Sequence, residues 1–532
     1  MDRRRHLLVL VLVLLQGVAT ATPPAGPMEA TPGTVETPPD PPTDVIGWEN
    51  GVWYDESIPV RQTGAGNRGL TPRETDLLLA RTMARVEFLR DLEFSEPVSV
   101  RFVGRERFRR ILEAGSFGTP TNDQIFEAMF VFGEDENAST RIETYLGSAV
   151  LGYAAEEGKE NITIVTRNAS VRAVDSNVLA HELVHVLQDQ HFDLGAPRYR
   201  EDTLDATWAT AGLVEGEASY VDYLYETRCE SNWTCIDAPT DWSGARVPAW
   251  AGTYSLFSQQ PYQDGGTFVY ERLTVGGWSA VAAAHGSPPR TTEQIIHGDP
   301  RDGPVPLTVR DRSSAAWETY HTDRLGEIGL FTLFVAQANR VPASNEVLSR
   351  SVYERQHPWD TLDSVFAPSA GWGTDRFVAY RNGDRRGYVW RIRWDTEADA
   401  REFQSAYQRA LLGFGARSYG STYVIDSGPF ADAFSVMRTN RTIRIVNAPS
   451  IAGLEALDSR VRTESIPAGV EVDDSDGGSV TESTDENRST TTGGTPEPVS
   501  PIGVETPLSQ AAPVLAIVVV SALLGMRQYL GR

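Results

Sequence analysis

Lysine is almost missing from this chain: Lys159 is the only one in 532 residues, so arginine carries nearly all the positive charge. Acids outnumber bases 72 to 48, and the net charge is −24 with a pI near 4.8. Such a surface repels phosphate backbones and excludes a DNA or RNA partner. Acid excess together with loss of lysine suits a protein of a high-salt organism; the plainer source is a GC-rich genome, which favours arginine codons. Histidine is scarce at eight residues and methionine at six. Cysteine is reduced to Cys229 and Cys235, a spacing that permits one small disulfide loop, with two free thiols as the alternative. No internal repeat is present. The length allows two to four domains and a sizeable core.

What is there begins with the two ends. Asp2-Arg-Arg-Arg5, an apolar run from Leu7 to Leu15 and Ala19-Thr-Ala21 have the form of a signal peptide over residues 1–21. An uncleaved anchor is the alternative. Residues 508–526 are apolar, uncharged and long enough to cross a bilayer, with Arg527 and Arg532 behind them. The arginines would stay inside and leave the body outside. A removable sorting tail is the other reading. Residues 22–44 are a Pro/Thr-rich leader, and 463–507 are an acidic Ser/Thr/Gly-rich stretch that reads as a disordered stalk. Six N-x-[ST] sequons, at Asn137, Asn161, Asn168, Asn232, Asn440 and Asn487, agree weakly with export and glycosylation.

Between the ends the patterning is that of a folded body. Thr71-Pro-Arg-Glu74 predicts a capping box opening a helix to about Arg90. Residues 97–102 and 161–166 alternate as strands. Residues 204–227 and 267–284 predict helices. From Tyr388 a β-α-β-β-α run follows, with strands at 388–394, 421–425, 433–438 and 442–447 and helices to about Leu412 and over 450–457.

The chemistry centres on His181-Glu-Leu-Val-His185. Histidines four apart on a helix project from one face, one turn apart, and two neutral imidazoles there can hold one metal ion. Glu182 sits beside them to work on a bound water. The apolar flanks Val178, Leu179, Leu183, Val184, Val186 and Leu187 predict a buried core helix. His191 stands where a third histidine ligand would be in the HExxHxxGxxH pattern. That pattern needs a glycine to turn the chain; Gln188 occupies the position and continues the helix, so His191 points elsewhere.

Leu213-Val-Glu-Gly-Glu-Ala-Ser-Tyr-Val-Asp222 resembles the second-helix motif of the gluzincin metallopeptidases, in the NEGxASYxE form of the aminopeptidase branch. The resemblance implies Glu215 as third ligand of a Zn²⁺ ion and Asp222 as an acid that orients a ligand histidine. The chain departs from the pattern in Val214, in a longer gap after His185, and in the rival acid Glu217. A wider set, with Gly276-Gly-Trp278 and Thr292-Glu-Gln-Ile-Ile-His297 in the same order, is similar to exported zinc-peptidase-like proteins of bacteria and halophilic archaea. That likeness covers roughly residues 175–300. His297 is then either a donor to a transition-state oxyanion or a structural histidine. Tyr220 and Tyr223 read as packing residues.

The expected fold class is α+β: a zincin-like domain over 45–375, a small α/β module over 376–462, the stalk, and the membrane helix. The expected function is a cell-surface zinc metallopeptidase-like protein acting on peptide or protein substrates and anchored in the membrane. His181, His185 and Glu215 would bind zinc, and Glu182 would act as base and then acid. The alternative is a binding or envelope-structural protein that keeps the fold without turnover.

Overall fold

The computed structural model describes residues 45–463, apart from 61–68, 114–122, 155–160, 201, 239–241, 300, 349–351, 353–356 and 361–362. The expected signal peptide, leader and membrane helix, and the stalk beyond Thr463, lie outside the described residues, as do Lys159 and Asn487. Among the described residues no helix is long and apolar enough to cross a membrane. The fold is mixed α+β.

The chain opens with a short hairpin, β1 (Trp48–Glu49) and β2 (Val52–Trp53). It enters α1 (Pro72–Arg90) through the expected box: Thr71 caps the Glu74 N–H and Glu74 returns to the Thr71 N–H. Next come β3 (Ser99–Gly104), α2 (Arg105–Glu113), α3 (Asp123–Ala128), α4 (Ala138–Ala149), β4 (Gly152–Ala154) and β5 (Asn161–Thr166). The three strands form one sheet in the order β3-β5-β4, with β3 parallel and β4 antiparallel to β5. On this sheet lies α5 (Ser176–Phe192), the HExxH helix. Asp175 caps it, accepting from the Asn177 N–H at 2.9 Å.

Two long helices follow, α6 (Leu204–Ser231) and α7 (Gly252–Gly286). Their backbones touch. A Cβ on Gly216 would meet the Gly265 carbonyl carbon at 2.2 Å, and one on Gly265 would meet the Gly212 oxygen at 2.1 Å. Gly216 in the Glu-Gly-Glu-Ala motif is therefore a close-approach glycine, and it sets α7 directly over the acids on either side of it. Helix α7 breaks at Gly276 and Gly277, the latter at φ 63°. The break turns Trp278 back onto α1, where its indole N–H donates to the Leu89 carbonyl at 3.0 Å. Cys229 and Cys235 are joined as a disulfide that closes the end of α6.

The C-terminal part departs from expectation. After α8 (Thr292–Ile296) come β6 (Glu318–Asp323), α9 (Gly326–Arg340), β7 (Trp372–Asn382), β8 (Arg385–Trp394), α10 (Glu397–Gly413), β9 (Arg417–Tyr419), β10 (Thr422–Val424), β11 (Ala433–Thr439), β12 (Thr442–Ala448) and α11 (Ile451–Leu457). All seven strands form one antiparallel sheet, β6-β7-β8-β12-β11-β10-β9. The expected boundary at 375/376 falls inside β7, and the sheet begins by Glu318. Asp375 hid the strand. An acid in mid-strand reads as a break, yet here its carboxylate is buried and accepts from the Leu325 and Gly326 N–H groups at 3.0 and 2.9 Å and from two indoles, Trp372 and Trp390. One continuous core runs from Val186 on α5 through Phe331 on α9 to Trp390 in the sheet, so the sheet is packed onto the helical part.

Candidate metal centre

Helices α5 and α6 bring His181, His185 and Glu215 together. Their ligand atoms all lie within 4.8 Å of one another. His181 Nε2 is 3.5 Å and His185 Nε2 3.4 Å from Glu215 Oε2. The three side chains are 1–2 % exposed. Both Nε2 atoms and both Glu215 oxygens lack any hydrogen-bond partner, and so do both oxygens of Glu182, which is fully buried beside them. Six orphaned polar atoms in one dry place would cost several kcal/mol if nothing joined them.

Gln188 sets the tautomer of His185. Gln188 Nε2 donates to the Val214 carbonyl at 2.9 Å and to Glu217 Oε2 at 2.9 Å, two groups that only accept. The amide is thereby oriented, and its Oε1 faces His185 Nδ1 at 2.8 Å. Only an N–H can be shared across that gap. His185 therefore carries a proton on Nδ1, and in the neutral ring Nε2 is the atom free to ligate. A lone pair 3.4 Å from a carboxylate oxygen repels it unless a cation lies between. Two atoms bound at about 2.0–2.1 Å to one tetrahedral ion stand about 3.4 Å apart. The observed separations are of that size, so the donor set fits a small divalent ion.

The charge states agree. Burial pushes the His181 imidazole down to about 4, leaving it neutral and able to ligate. Burial, then the charge of Glu215, holds Glu182 well above its usual range. A cation beside Glu182 acts in the opposite sense.

Glu217, the rival acid, faces a different group. It pairs with Arg90 from α1, with His285 Nε2 at 2.5 Å and with Gln188. Burial opposes its charge, but Arg90 and His285 keep it far below the usual carboxylate range. Glu217 thus orients His185 through Gln188, the task expected of Asp222. Asp222 itself is half-buried with Oδ1 enclosed and unpartnered, and its acidic neighbours Glu226 and Asp175 raise it further once burial has done so. Replacing Gln188 by Leu removes the acceptor from His185 Nδ1. A fall in metal affinity of about 10–100-fold is expected, read by competition with a chromogenic chelator. An unchanged affinity would remove Gln188 from this role.

Other expected residues fall elsewhere. His191 Nε2 sits 2.7 Å from the Glu93 carbonyl, at the end of a helix that runs unbroken through Gln188. His297 caps α8, and its Nε2 lies 3.0 Å from both oxygens of buried Glu327. Glu327 first, then Asp264 and Asp302, raise it against the opposing effect of burial. Tyr220 and Tyr223 pack on Trp359. Tyr262 on α7 was not anticipated. Its ring stacks on His181 at 5.9 Å, and its hydroxyl feels the charges of Glu215 and Glu182, which with burial hold the phenol protonated. The one sequence signal was Gln259-Gln-Pro-Tyr-Gln263, a polar run inside a buried helix.

A family model described as a domain of unknown function (DUF8575) matches residues 316–458. That span is the seven-stranded sheet with α9, α10 and α11, and it excludes His181, His185 and Glu215. Neither the curated proteins nor the solved structures hold a match.

Proposed function

We propose that this protein is a zinc-dependent metallopeptidase of the gluzincin type, with a zincin-like domain, exported and held at the cell surface by its C-terminal apolar segment. The observation that carries the reading is Glu182. A purely structural zinc site closes its ion with four protein ligands. Here three ligands converge and a second carboxylate, Glu182, stands beside them, buried and on the same helix turn as His181 and His185. Zinc in this place would lower the pKa of a bound water and polarise a scissile carbonyl. Glu182 takes the proton of the attacking water and passes it to the leaving amine. The Tyr262 hydroxyl, kept protonated, donates to the oxygen on which negative charge develops. Gly152 of edge strand β4 packs against Glu182, close enough that a Cβ there would lie 3.0 Å from its Oε1. An extended peptide pairing with that edge would bring its backbone to the acid. The disulfide fits an oxidising compartment.

The burial of the ligands favours a second reading, a zinc-stabilised surface protein without turnover, since a peptide must reach residues that are 0–2 % exposed. One experiment separates the two. The purified full chain, in high salt, is analysed for metal and assayed on a general peptide substrate before chelation, after it, and after zinc is returned. One zinc per chain with cleavage that disappears and returns supports the peptidase. One zinc per chain with no cleavage supports the second reading. Absence of zinc binding removes both.

A further inference from the structure

A second group of acids lies far from the histidines in the sequence and joins the helical part to the sheet. Glu127 ends α3, Glu134 follows in the next turn, and Asp432 precedes β11; their oxygens lie within 4.8 Å of one another. Glu127 and Asp432 are buried, and Glu134 is exposed. No basic side chain is bonded to Glu127 or Asp432 among the described residues. The arginines nearby are committed elsewhere: Arg340 donates to the Phe130 and Val131 carbonyls, and Arg141 pairs with Glu136. Burial, then the charge of a neighbouring acid, pushes both carboxyls up, and the two neighbour each other with no counter-charge beside them among the described residues.

The surroundings of the acids point to a ligand. Asp432 Oδ2 accepts from Asn447 Nδ2 at 2.6 Å, while Asp432 Oδ1 and Asn447 Oδ1, both fully enclosed, have no partner. Tyr388, paired in register with Asn447, and Tyr407 on α10 are 0 % exposed. Their hydroxyls neighbour each other, and both phenols are electrostatic neighbours of Glu127 and Asp432. Asp432 Oδ1 and Asn447 Oδ1 are thus enclosed and unsatisfied, and Glu134 alone of the three acids is exposed.

The two loops are held at fixed distance. The Glu134 N–H donates to the Pro429 carbonyl at 3.1 Å, and the Gly133 N–H donates to Glu136 at 2.9 Å. A Cβ on Gly133 would come within 2.6 Å of Pro429 Cβ, so only glycine allows the approach. An all-oxygen set with one carboxylate from the end of α3, one from the turn after it and one from the residue before β11 suits a hard cation of calcium's size, bound at about 2.3–2.6 Å with water completing the shell.

We propose that Glu127, Glu134 and Asp432 bind a calcium ion that clamps the α3 turn to the seven-stranded sheet. The site is independent of the zinc reading. The test uses the full chain, zinc-saturated and calcium-free, at constant high monovalent salt. Millimolar CaCl₂ should raise the Tm by about 3 °C or more, and Tb³⁺ should give luminescence sensitised by Tyr388 and Tyr407. Glu134→Ala alters only an exposed side chain, so it should fold and need about tenfold more Ca²⁺ for the same shift. Glu127→Gln and Asp432→Asn should lose both the shift and the Tb³⁺ signal, while His185→Ala keeps them. No response of the wild type to Ca²⁺ or Tb³⁺ would overturn the proposal and leave the acids sharing a proton. A response unchanged in Glu134→Ala and Asp432→Asn would overturn it as well.

Discussion

Glu182→Gln should lower kcat/KM for peptide hydrolysis by about 10³-fold or more and leave one zinc bound per chain. General acid–base groups contribute about 10²–10⁴-fold, and here one side chain handles the proton twice, from water and to the amine. Glutamine keeps the shape of the side chain and cannot take a proton. Glu182 is not among the three converging ligands, so the metal set is untouched. Stability should change little: the amide keeps an oxygen that can still accept from the Ala154 N–H, the backbone donor near the carboxyl. The measurements are metal content and peptide turnover of wild type and variant, side by side in high salt. Undiminished turnover in Glu182→Gln would sink the assignment. Loss of zinc together with turnover would instead make Glu182 a ligand.

How far this site was legible from the chain follows from where its signals lie. The capping box at Thr71 and the HExxH spacing are local, and α1 and α5 form where they say. Glu215 was legible because its neighbours Gly216 and Ala218 make a motif, and the motif has a physical cause in the touching of α6 and α7. Gln188 was read only as a residue that continues a helix. It does that, and it also fixes the tautomer of His185, which no spacing reveals because Val214 and Glu217 come from another helix. The cluster of Arg90, Glu217 and His285 draws on α1, α6 and α7 in the same way. Tyr262 reaches the site only because α7 crosses α6 at two glycines. In the C-terminal part, strands with alternating apolar residues were legible, and β7 was not, because Asp375 is satisfied by groups distant in sequence.

The two acids of the Glu-Gly-Glu motif should respond in opposite ways to the same substitution. Glu215→Gln places an amide between two imidazole lone pairs. In the metal-free protein its N–H groups can donate to His181 Nε2 and His185 Nε2, which have no partner now, so metal-free stability should rise by about 1 kcal/mol. The zinc-bound protein loses its one anionic ligand. If three residues share the roughly 10–16 kcal/mol of a zinc site, weakening one should cost on the order of 3 kcal/mol, a hundredfold or more in Kd. Glu217→Gln acts on stability instead. It leaves the Arg90 guanidinium, 2 % exposed, without its carboxylate, and sets an amide N–H against Gln188 Nε2 or Arg90. Breaking a buried pair from one side costs about 3–5 kcal/mol. That loss should appear with and without metal, while one zinc per chain is retained. Denaturant unfolding of both variants, metal-free and zinc-loaded, with Kd from chelator competition, reads all four quantities. If Glu217→Gln lost the zinc and Glu215→Gln kept it, the ligand would be Glu217 and the orientation argued for Gln188 would fall with it.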